Sequence, residues 1–359
     1  MSGYTKEDRA LVWLAACSEA DERSRARIAR LCAHGLPQKE LEKICAAVIQ
    51  TGANRVYKDD RAAIEGEADA CLSRLAQGGG FAVTLPDADY PESLRAIPDP
   101  PLALFCAGRR ELLQRRKFCI VGSRILPAWA AKTGKSIAAE LSGPFVIVTG
   151  IAEGGDRAAI DGALPRGNLI CVLPCGLDVD YPASHASLKR EIAKRGLLVS
   201  EVPLGVRAQK FSFHARNRIL AGLSEGVLVL AAGERSGALI TADRALAYGR
   251  EVFALPHNAG AAQGAGCNEL IKQGAYLCTD AGDIFAAFGM ERAQRPAVQL
   301  TPQEETLLAE LRLAGEAHAA VLAGRAGIPV WEAQAVLASL ELKGLAVRAG
   351  GNQYAALKA

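Results

Sequence analysis

The run Phe118-Cys119-Ile120-Val121-Gly122-Ser123-Arg124 places a short, β-prone apolar segment directly before a polar loop that starts with glycine. The run Phe145-Val146-Ile147-Val148-Thr149-Gly150 repeats this arrangement, and a helical stretch, Pro127–Ser142, lies between the two runs. Two parallel strands need a crossover connection, which is usually a helix. This order of strand, helix and strand therefore predicts a parallel sheet.

The same alternation continues along the chain. Further strands are predicted at Leu169–Leu173, Leu197–Ser200, Val227–Ala231 and Glu251–Leu255. Further helices are predicted at Asp156–Ala163, Ala186–Arg195 and Ser236–Tyr248. Parallel strands that alternate with helices of this size form an open sheet covered on both faces. We predict a Rossmann-like α/β domain with an extended parallel sheet over residues 81–289.

Smaller domains are predicted on both sides of this one. Residues 1–80 are predicted to form a helical, SAM-like domain with helices at Asp8–Cys17, Arg23–His34 and Pro37–Gln50. A linker at residues 290–300 leads to Thr301-Pro302-Gln303-Glu304, which combines an N-cap, a first-turn proline and an acid. Three helical stretches and a glycine turn between two short strands follow, so residues 301–359 are predicted to form a winged helix.

The charge of this last segment bears on its role. From residue 297 onward the chain carries 5 basic and 6 acidic side chains. A winged helix that grips DNA needs an excess of cations on its surface. We therefore favour a regulatory or protein-docking role for the winged helix.

The composition excludes several classes of protein. Of the 359 residues 50% are hydrophobic and 23% are charged, so neither a disordered tail protein nor a bilayer protein fits. No run approaches the roughly 18 apolar residues that span a membrane, and the first residues lack the layout of a signal peptide. The 10 cysteines are scattered, and Cys171 and Cys175 have the wrong spacing for a zinc site. We expect a soluble, cytoplasmic protein with reduced thiols, no metal and no membrane partner.

Two loops at the predicted carboxyl edge of the sheet have the features of an anion site. Gly122, Ser123 and Arg124 follow the first strand and offer close backbone approach, a hydroxyl donor and a guanidinium. The segment Thr149–Asp156, which includes Gly150, follows the second strand and opens a helix. The Gly-x-Gly-x-x-Gly fingerprint of dinucleotide sites is absent, as is a Walker-type Gly-Lys-Ser/Thr loop. We expect an anion site without a cofactor and without ATP hydrolysis.

The most basic loop is predicted at Arg207–Arg218. It carries four positive charges and no acid, and Phe211 and Phe213 lie between the cations. Cations that bind a phosphate backbone, together with rings that stack on unpaired bases, are typical of a single-strand site. Two aromatic residues in alternation also commonly face a protein core. A solvated basic turn beside two core rings is therefore an equal alternative.

Five sequence blocks follow one another in order between roughly Tyr90 and Leu277. They read Val121-Gly122-Ser123-Arg124, Cys175-Gly176-Leu177-Asp178 with Tyr181-Pro182, Phe213 with Arg216-Asn217-Arg218-Ile219-Leu220-Ala221-Gly222-Leu223-Ser224, Ser236-Gly237-Ala238-Leu239-Ile240-Thr241-Ala242, and Gly266-Cys267-Asn268-Glu269-Leu270-Ile271 through Gly274-Ala275. These blocks resemble the DNA-processing protein A family (DprA, also called Smf). The final segment, with Leu340-Glu341-Leu342-Lys343-Gly344-Leu345, resembles the winged helix of that family.

The resemblance implies a recombination mediator rather than an enzyme. Members of the family bind single-stranded DNA that enters a naturally transformable bacterium, act as homodimers and help load the RecA recombinase. By position, Arg124 would contact phosphate, Phe213 would stack on a base, and Arg216 and Arg218 would line the groove. The full set of DNA-binding residues that the resemblance implies is Gly122, Ser123, Arg124, Gly150, Lys210, Phe213, Arg216, Asn217 and Arg218.

The second loop departs from the family pattern Ser-Gly-Leu-Ala-Arg-Gly-Ile-Asp. Glu153 stands where arginine is expected and Gly155 where isoleucine is expected, and farther along the chain His257 replaces a glycine. An anion in place of a cation beside phosphate would cost about 1 kcal/mol or more. Either Glu153 points away from DNA, or this chain binds DNA more weakly.

Two other functions are compatible with a Rossmann-like sheet. A related superfamily contains nucleotide phosphoribohydrolases, but their Pro-Gly-Gly-x-Gly-Thr motif has no counterpart here, where Ser236-Gly237-Ala238 occupies the comparable loop. No nucleophile, base and orienting group can be read together, so an enzyme is not expected. A sensor that holds a small nucleotide and signals through its terminal modules is the other alternative.

Overall fold

The computed structural model describes residues 4–16, 61–292 and 299–357. The chain divides into two compact units, Met1–Met290 and Glu291–Ala359. The helices predicted at Arg23–His34 and Pro37–Gln50 lie outside the described residues. Within the described ranges, no helix is both long and apolar enough to cross a bilayer.

A nine-stranded sheet, counted over the described residues, forms the centre of the first unit. Its strands are β1 (Gly80–Thr84), β2 (Ala103–Gly108), β3 (Lys117–Val121), β4 (Val146–Thr149), β5 (Leu169–Val172), β6 (Leu197–Ser200), β7 (Gly226–Val229), β8 (Glu251–Ala254) and β9 (Tyr276–Leu277). They lie in the order β1-β2-β6-β5-β4-β3-β7-β8-β9. From β6 to β9 the neighbours run parallel, whereas β2 is antiparallel to both of its neighbours. The predicted Rossmann-like parallel sheet is confirmed.

Helices cover both faces of this sheet. In the first unit they are α1 (Lys6–Ala16), α2 (Arg61–Gln77), α3 (Glu92–Arg95), α4 (Ala128–Leu141), α5 (Gly155–Ala163), α6 (Ala186–Arg195), α7 (Lys210–Leu223), α8 (Gly237–Ala247), α9 (Ala265–Lys272) and α10 (Ala281–Ala287). Successive side chains of a strand point to opposite faces. Phe118 and Ile120 of β3 accordingly share a core with α4, α5 and α10, while Cys119 and Val121 share the other core with α7 and α8.

The antiparallel strands β1 and β2 extend the sheet where no strand was predicted. Leu11 of α1 and Leu72 of α2 belong to the same core as β1. The Trp13 indole donates to the Glu67 carboxylate at 3.0 Å, which ties α1 to α2. The described N-terminal helices therefore share their core with the sheet. The predicted domain boundaries near residues 80 and 290 stay predictions.

The segment Arg207–Arg218 is not a loop throughout, because α7 begins at Lys210. At its start the Gln209 N–H donates to the Ser212 hydroxyl at 3.2 Å. The inward face of the helix includes Arg218, which is buried although it is charged. Ser212 and Asn217 are buried as well. Because polar residues occupy these buried positions, apolar periodicity is weak, and the sequence pattern did not indicate a helix.

The second unit is a winged helix, as predicted. Its elements are α11 (Pro302–Ala314), β10 (Glu316–His318), α12 (Ala319–Ala326), α13 (Val330–Leu342), β11 (Ala346–Gly350) and β12 (Gln353–Ala356). The strands pair in the order β10-β12-β11. The predicted N-cap is confirmed, because the Thr301 hydroxyl accepts the Glu304 N–H at 3.3 Å and the Glu304 carboxylate accepts the Thr301 N–H at 2.7 Å. The third helix, α13, contains no lysine or arginine, so it offers no cation to phosphate.

Candidate nucleic-acid interface

A pocket of about 220 Å³ opens at the carboxyl ends of β3 and β7. The strand order reverses at β3, where β4 lies on one side and β7 on the other. Open α/β sheets bind their ligands in the crevice at this reversal. The pocket is lined by Val121, Gly122, Ser123, Arg124, Ala152, Asp156, Phe213, Arg216, Asn217, Leu220, Ser236, Gly237, Ala238 and Thr241.

The loop after β3 forms one wall of the pocket. The Ser123 N–H donates to the Ala231 carbonyl at 2.8 Å, and the hydroxyls of Ser123 and Ser236 lie 3.3 Å apart. A Cβ on Gly122 would lie 3.2 Å from the Cα of Gly155. Glycine at both positions lets the loops after β3 and β4 touch at the backbone.

Helix α7 presents one stripe of side chains to the pocket. Phe213, Arg216, Asn217 and Leu220 line it, and their spacing of three and four residues places them on one face of a helix. Phe213 is half-buried, whereas Phe211 is 66% exposed. The alternative in which both rings lie in the core is therefore wrong.

Arg124 lies over the Phe213 ring. Its guanidinium carbon is 5.7 Å from the ring centroid, and the ring meets Tyr181 edge-on at a centroid distance of 5.5 Å. Across the described ranges, no carboxylate lies within ion-pair distance of Arg124, and its side chain is exposed. This arginine is a cation available to an anionic ligand, and it sits beside an aromatic ring.

The amino end of α8 contributes backbone donors. The Ser236 hydroxyl caps the helix by accepting the Ala238 N–H at 3.3 Å, and Gly237 and Ala238 line the pocket. The first N–H groups of a helix have no partner within the helix, and the helix dipole is positive at this end. Such an end favours an anion in the pocket.

The polar residues of α7 are fixed by hydrogen bonds. Arg216 donates from Nη1 to the Val172 carbonyl at 2.7 Å and from Nε to the Asn217 side-chain oxygen at 3.2 Å. The Asn217 amide in turn donates to the Gly237 carbonyl at 3.1 Å. These bonds join α7 to β5 and to the start of α8, and they set the shape of the pocket floor.

Asp156 places an anion beside Arg216 in that floor. The Asp156 carboxylate accepts the Ala152 N–H at 3.1 Å and lies 3.3 Å from the Thr149 hydroxyl. A Cβ on Gly150 would overlap both the Arg216 guanidinium and the Asp156 carboxylate. Glycine at position 150 therefore leaves room for this cation and anion to approach each other.

Burial and mutual attraction oppose each other in this pair. Burial raises the pKa of Asp156, and the Arg216 charge counteracts that rise. Burial also lowers the pKa of the Arg216 guanidinium, and the Asp156 charge counteracts that fall. Since these two charges compensate each other, Arg124 supplies the uncompensated positive charge among the lining residues.

The structure places Arg218 away from the pocket that it was predicted to line. Its guanidinium pairs with Asp99 at 3.3 Å and with Glu201 in a short hydrogen bond, and only 10% of its side chain is exposed. Two carboxylates already surround this cation. Arg218 joins α7 to its neighbouring segments and does not line the pocket.

Lys210 and Gly150 also lie outside the lining. Lys210 is the exposed first residue of α7, and Gly150 acts through the space that it leaves for Arg216. Sequence reasoning missed Thr241 and Ser236 as lining residues. The sequence carried a signal for Ser236, because a serine followed by glycine at the start of a helix predicts a capped helix end, whereas no such signal points to Thr241.

The two unusual residues of the second loop have clear positions. Glu153 Oε1 lies 2.6 Å from Nε2 of the buried His185, whose Nδ1 lies 2.8 Å from the Ile151 carbonyl. Glu153 is not among the residues that line the pocket, which favours the alternative in which it points away from DNA. A Cβ on Gly155 would overlap the backbone of Gly122, so an isoleucine here would require the two loops to separate.

The pocket offers donors rather than metal ligands. Across the described residues, no group of three or more His, Cys, Asp or Glu side chains is placed to hold a metal ion. Arg124, the helix end and two hydroxyls suit an anion such as phosphate.

These features define the class of protein: a parallel α/β sheet with an anion pocket where its strand order reverses, and a separate winged helix. The chain belongs to the DNA recombination-mediator protein A family, whose model matches residues 81–289. The DprA winged helix domain matches residues 291–352.

Similar proteins occur in Streptococcus pneumoniae, which supplies a sequence and a structure, and in Helicobacter pylori, which supplies a structure. The DNA processing protein DprA of S. pneumoniae is 42% identical over 200 residues, which make up 55% of this chain and 71% of that protein. An X-ray structure of DprA from S. pneumoniae has a TM-score of 0.63 at 32% identity and covers 81% of this chain and 99% of that chain. A structure of DNA processing protein A from H. pylori, described for its single-stranded DNA binding mode, has a TM-score of 0.53 at 31% identity and covers 58% of this chain and 95% of that chain.

Proposed function

We propose that this chain binds single-stranded DNA at the pocket between β3 and β7 and acts as a recombination mediator. The observation that carries the proposal is Arg124, a cation without a carboxylate partner among the described residues, lying 5.7 Å from the Phe213 ring centroid. A phosphate and its neighbouring unpaired base need a cation and a ring side by side. The H. pylori relative, whose structure concerns single-stranded DNA, supports this choice of ligand.

The size of the pocket favours a polymer over a free nucleotide. Its volume of about 220 Å³ is below the roughly 300–1,000 Å³ of sites that enclose a whole small ligand. One phosphate and part of a nucleoside would fill it, and the rest of the ligand would continue along the surface. This shape fits one position on a longer strand.

The proposed residues are those that reach the pocket. Arg124 binds phosphate, Phe213 stacks on a base, and the α8 amino end with Ser123 donates hydrogen bonds to phosphate. Arg216 and Asn217 hold the floor of the pocket in shape. We leave Arg218 out of the contact set, because Asp99 and Glu201 occupy its guanidinium.

Family membership supports a finer proposal. The chain would protect incoming single strands during natural transformation, load the RecA recombinase onto them and act in the cytoplasm as a homodimer. It would do so by binding alone, without turnover of a substrate and without a cofactor. Sedimentation across protein concentrations tests the dimer, and strand-exchange assays with RecA and single-strand-binding protein test the loading.

A binding experiment separates this function from a nucleotide sensor or a phosphoribohydrolase-like enzyme. Fluorescence anisotropy of a labelled single strand should show binding at low salt, weaker binding to duplex, and affinity that rises with strand length and falls steeply with salt. A mononucleotide should compete poorly. Equal affinity for a mononucleotide and a long strand, or steady consumption of a nucleotide, would contradict the proposal.

A further inference from the structure

An aromatic pair lies at the same edge of the sheet, outside the pocket. Trp129, the second residue of α4, is 49% exposed. Its ring centroid lies 4.9 Å from that of His257, with 57° between the ring planes. Neither residue lines the pocket. We call Trp129 and His257 the ring platform.

His257 is held firmly under the tryptophan. Its Nε2 lies 3.0 Å from the Leu230 carbonyl oxygen, and its backbone N–H and carbonyl bond to the Asn268 side chain at 2.9 and 3.0 Å. A Cβ on Gly264 would overlap the imidazole. Space for this ring therefore depends on glycine at position 264. The imidazole is held in one position by its hydrogen bonds and by the packing around it.

Trp129 is a large apolar side chain left exposed to water, as Trp331 of the second unit also is. The other tryptophan of the first unit, Trp13, is only 5% exposed. Ile125, between Arg124 and Trp129, is 74% exposed. Exposed apolar side chains at the edge of a ligand site are a feature of contact surfaces. Tryptophan at such surfaces supplies a flat face for a second ring.

The platform continues the pocket in one direction. Trp129 follows β3 and His257 follows β8, and β7 is the single strand between them. Neighbouring strands are about 4.8 Å apart, so the platform lies over roughly 10 Å of sheet edge next to the pocket. Trp129 comes five positions after Arg124, which limits their Cα distance to about 18 Å. A bound strand of a few nucleotides would reach both places.

We propose that the ring platform stacks on a second unpaired base of the single strand whose phosphate lies at Arg124. This inference rests on the proposed function and extends its site across β7 to β8. Every base has a π-face, so stacking here is expected to be tolerant of sequence. Because the platform contributes rings and no phosphate contact, it should raise affinity without adding to the salt dependence.

Tryptophan fluorescence tests the contact directly. The chain has three tryptophans, and Trp331→Phe leaves the buried Trp13 and the exposed Trp129. Adding an oligothymidylate of about 15 nucleotides should quench this variant, and the quench should vanish in Trp129→Phe/Trp331→Phe. An unchanged quench in the double variant, or no quench in the single variant while anisotropy reports binding, would overturn the proposal.

Affinity provides the second measurement. Trp129→Ala should weaken strand binding about tenfold with the salt slope unchanged, Trp129→Phe should lose less, and Trp331→Ala should match the wild type. Equal affinities for Trp129→Ala and the wild type would refute the platform while leaving the pocket in place. Failure of the wild type to bind any single strand would instead overturn the proposed function together with this inference. Trp129 fluorescence that changes with protein concentration and not with DNA would assign the platform to self-association.

Discussion

Replacing Arg124 with alanine tests the central contact of the proposed site. The side chain is exposed and has no carboxylate partner within the described ranges, so its removal leaves no buried charge behind. We expect the free energy of unfolding to change by no more than about 0.5 kcal/mol. Loss of one hydrogen bond to a charged phosphate costs about 1.5–3 kcal/mol, which corresponds to roughly a 10- to 150-fold weaker Kd.

The salt dependence supplies a second number from the same experiment. Each phosphate that a protein neutralises on a single strand contributes about 0.7 to the slope of log K against log salt. Arg124→Ala should therefore make the slope shallower by about 0.7. Anisotropy titrations of a labelled strand across a salt series measure the affinity and the slope, and a thermal melt confirms the fold.

Arg166 offers a matched control. It is an exposed arginine in the turn Leu164–Arg166, which precedes β5 and so lies at the amino edge of the sheet. Arg166→Ala removes the same charge far from the pocket and should leave the affinity and the slope unchanged. If both variants weaken binding equally, net charge rather than the pocket governs affinity. If Arg124→Ala lowers the melting temperature strongly, the arginine is structural and the reasoning fails.

Three further predictions follow from individual contacts. Phe213→Ala should weaken single-strand binding by about 1–3 kcal/mol in the same titration, whereas a large loss of melting temperature with unchanged affinity would make the ring structural. Gly155→Ile should lower both the melting temperature and the affinity, because a Cβ there overlaps the Gly122 backbone; a variant with wild-type values would refute that packing. Burial lowers the pKa of Lys117 to about 8, so between pH 8 and roughly 10.4 this lysine keeps its proton in the unfolded chain but not in the folded chain, and its own contribution to stability rises with pH. Buried thiols such as Cys119, whose pKa burial raises, contribute in the opposite direction. Denaturant unfolding of both proteins should therefore show that the free energy of unfolding of the wild type, minus that of Lys117→Met, rises with pH across this window.

The parallel sheet could be predicted because its strands are buried on both faces. Runs such as Phe118–Val121 are continuously apolar up to the loop and are followed by glycine, a pattern typical of parallel strands covered on both faces. The strands β1 and β2 were missed because they pair antiparallel at one side of the sheet and no crossover helix joins them. The sheet was predicted from the alternation of strands and helices, and this alternation is absent around β1 and β2.

The sequence placed Arg216 and Arg218 together at the predicted site, whereas the structure brings only Arg216 to the pocket. In a loop, Arg216 and Arg218 could both face a ligand. In a helix of 3.6 residues per turn, residues two apart in the sequence lie about 200° apart around the helix axis. Only one of these arginines can therefore face the pocket. Arg216 shares its face with Phe213, and Arg218 points to Asp99 instead. The periodicity that would have indicated the helix was hidden by polar residues that find their partners only in the folded chain.

The two departures in the second loop act together. Without a side chain at Gly155, the loops after β3 and β4 meet at the backbone of Gly122, and Glu153 extends to His185 instead of lining the pocket. The loop after β4 therefore lacks the cation of the family pattern at position 153, while Asp156 keeps the acid of that pattern. Because Asp156 already balances Arg216, the attraction for phosphate concentrates on Arg124 and the α8 amino end. A site with fewer cations must gain more of its affinity from stacking, so the salt slope of this chain should be shallow for its affinity.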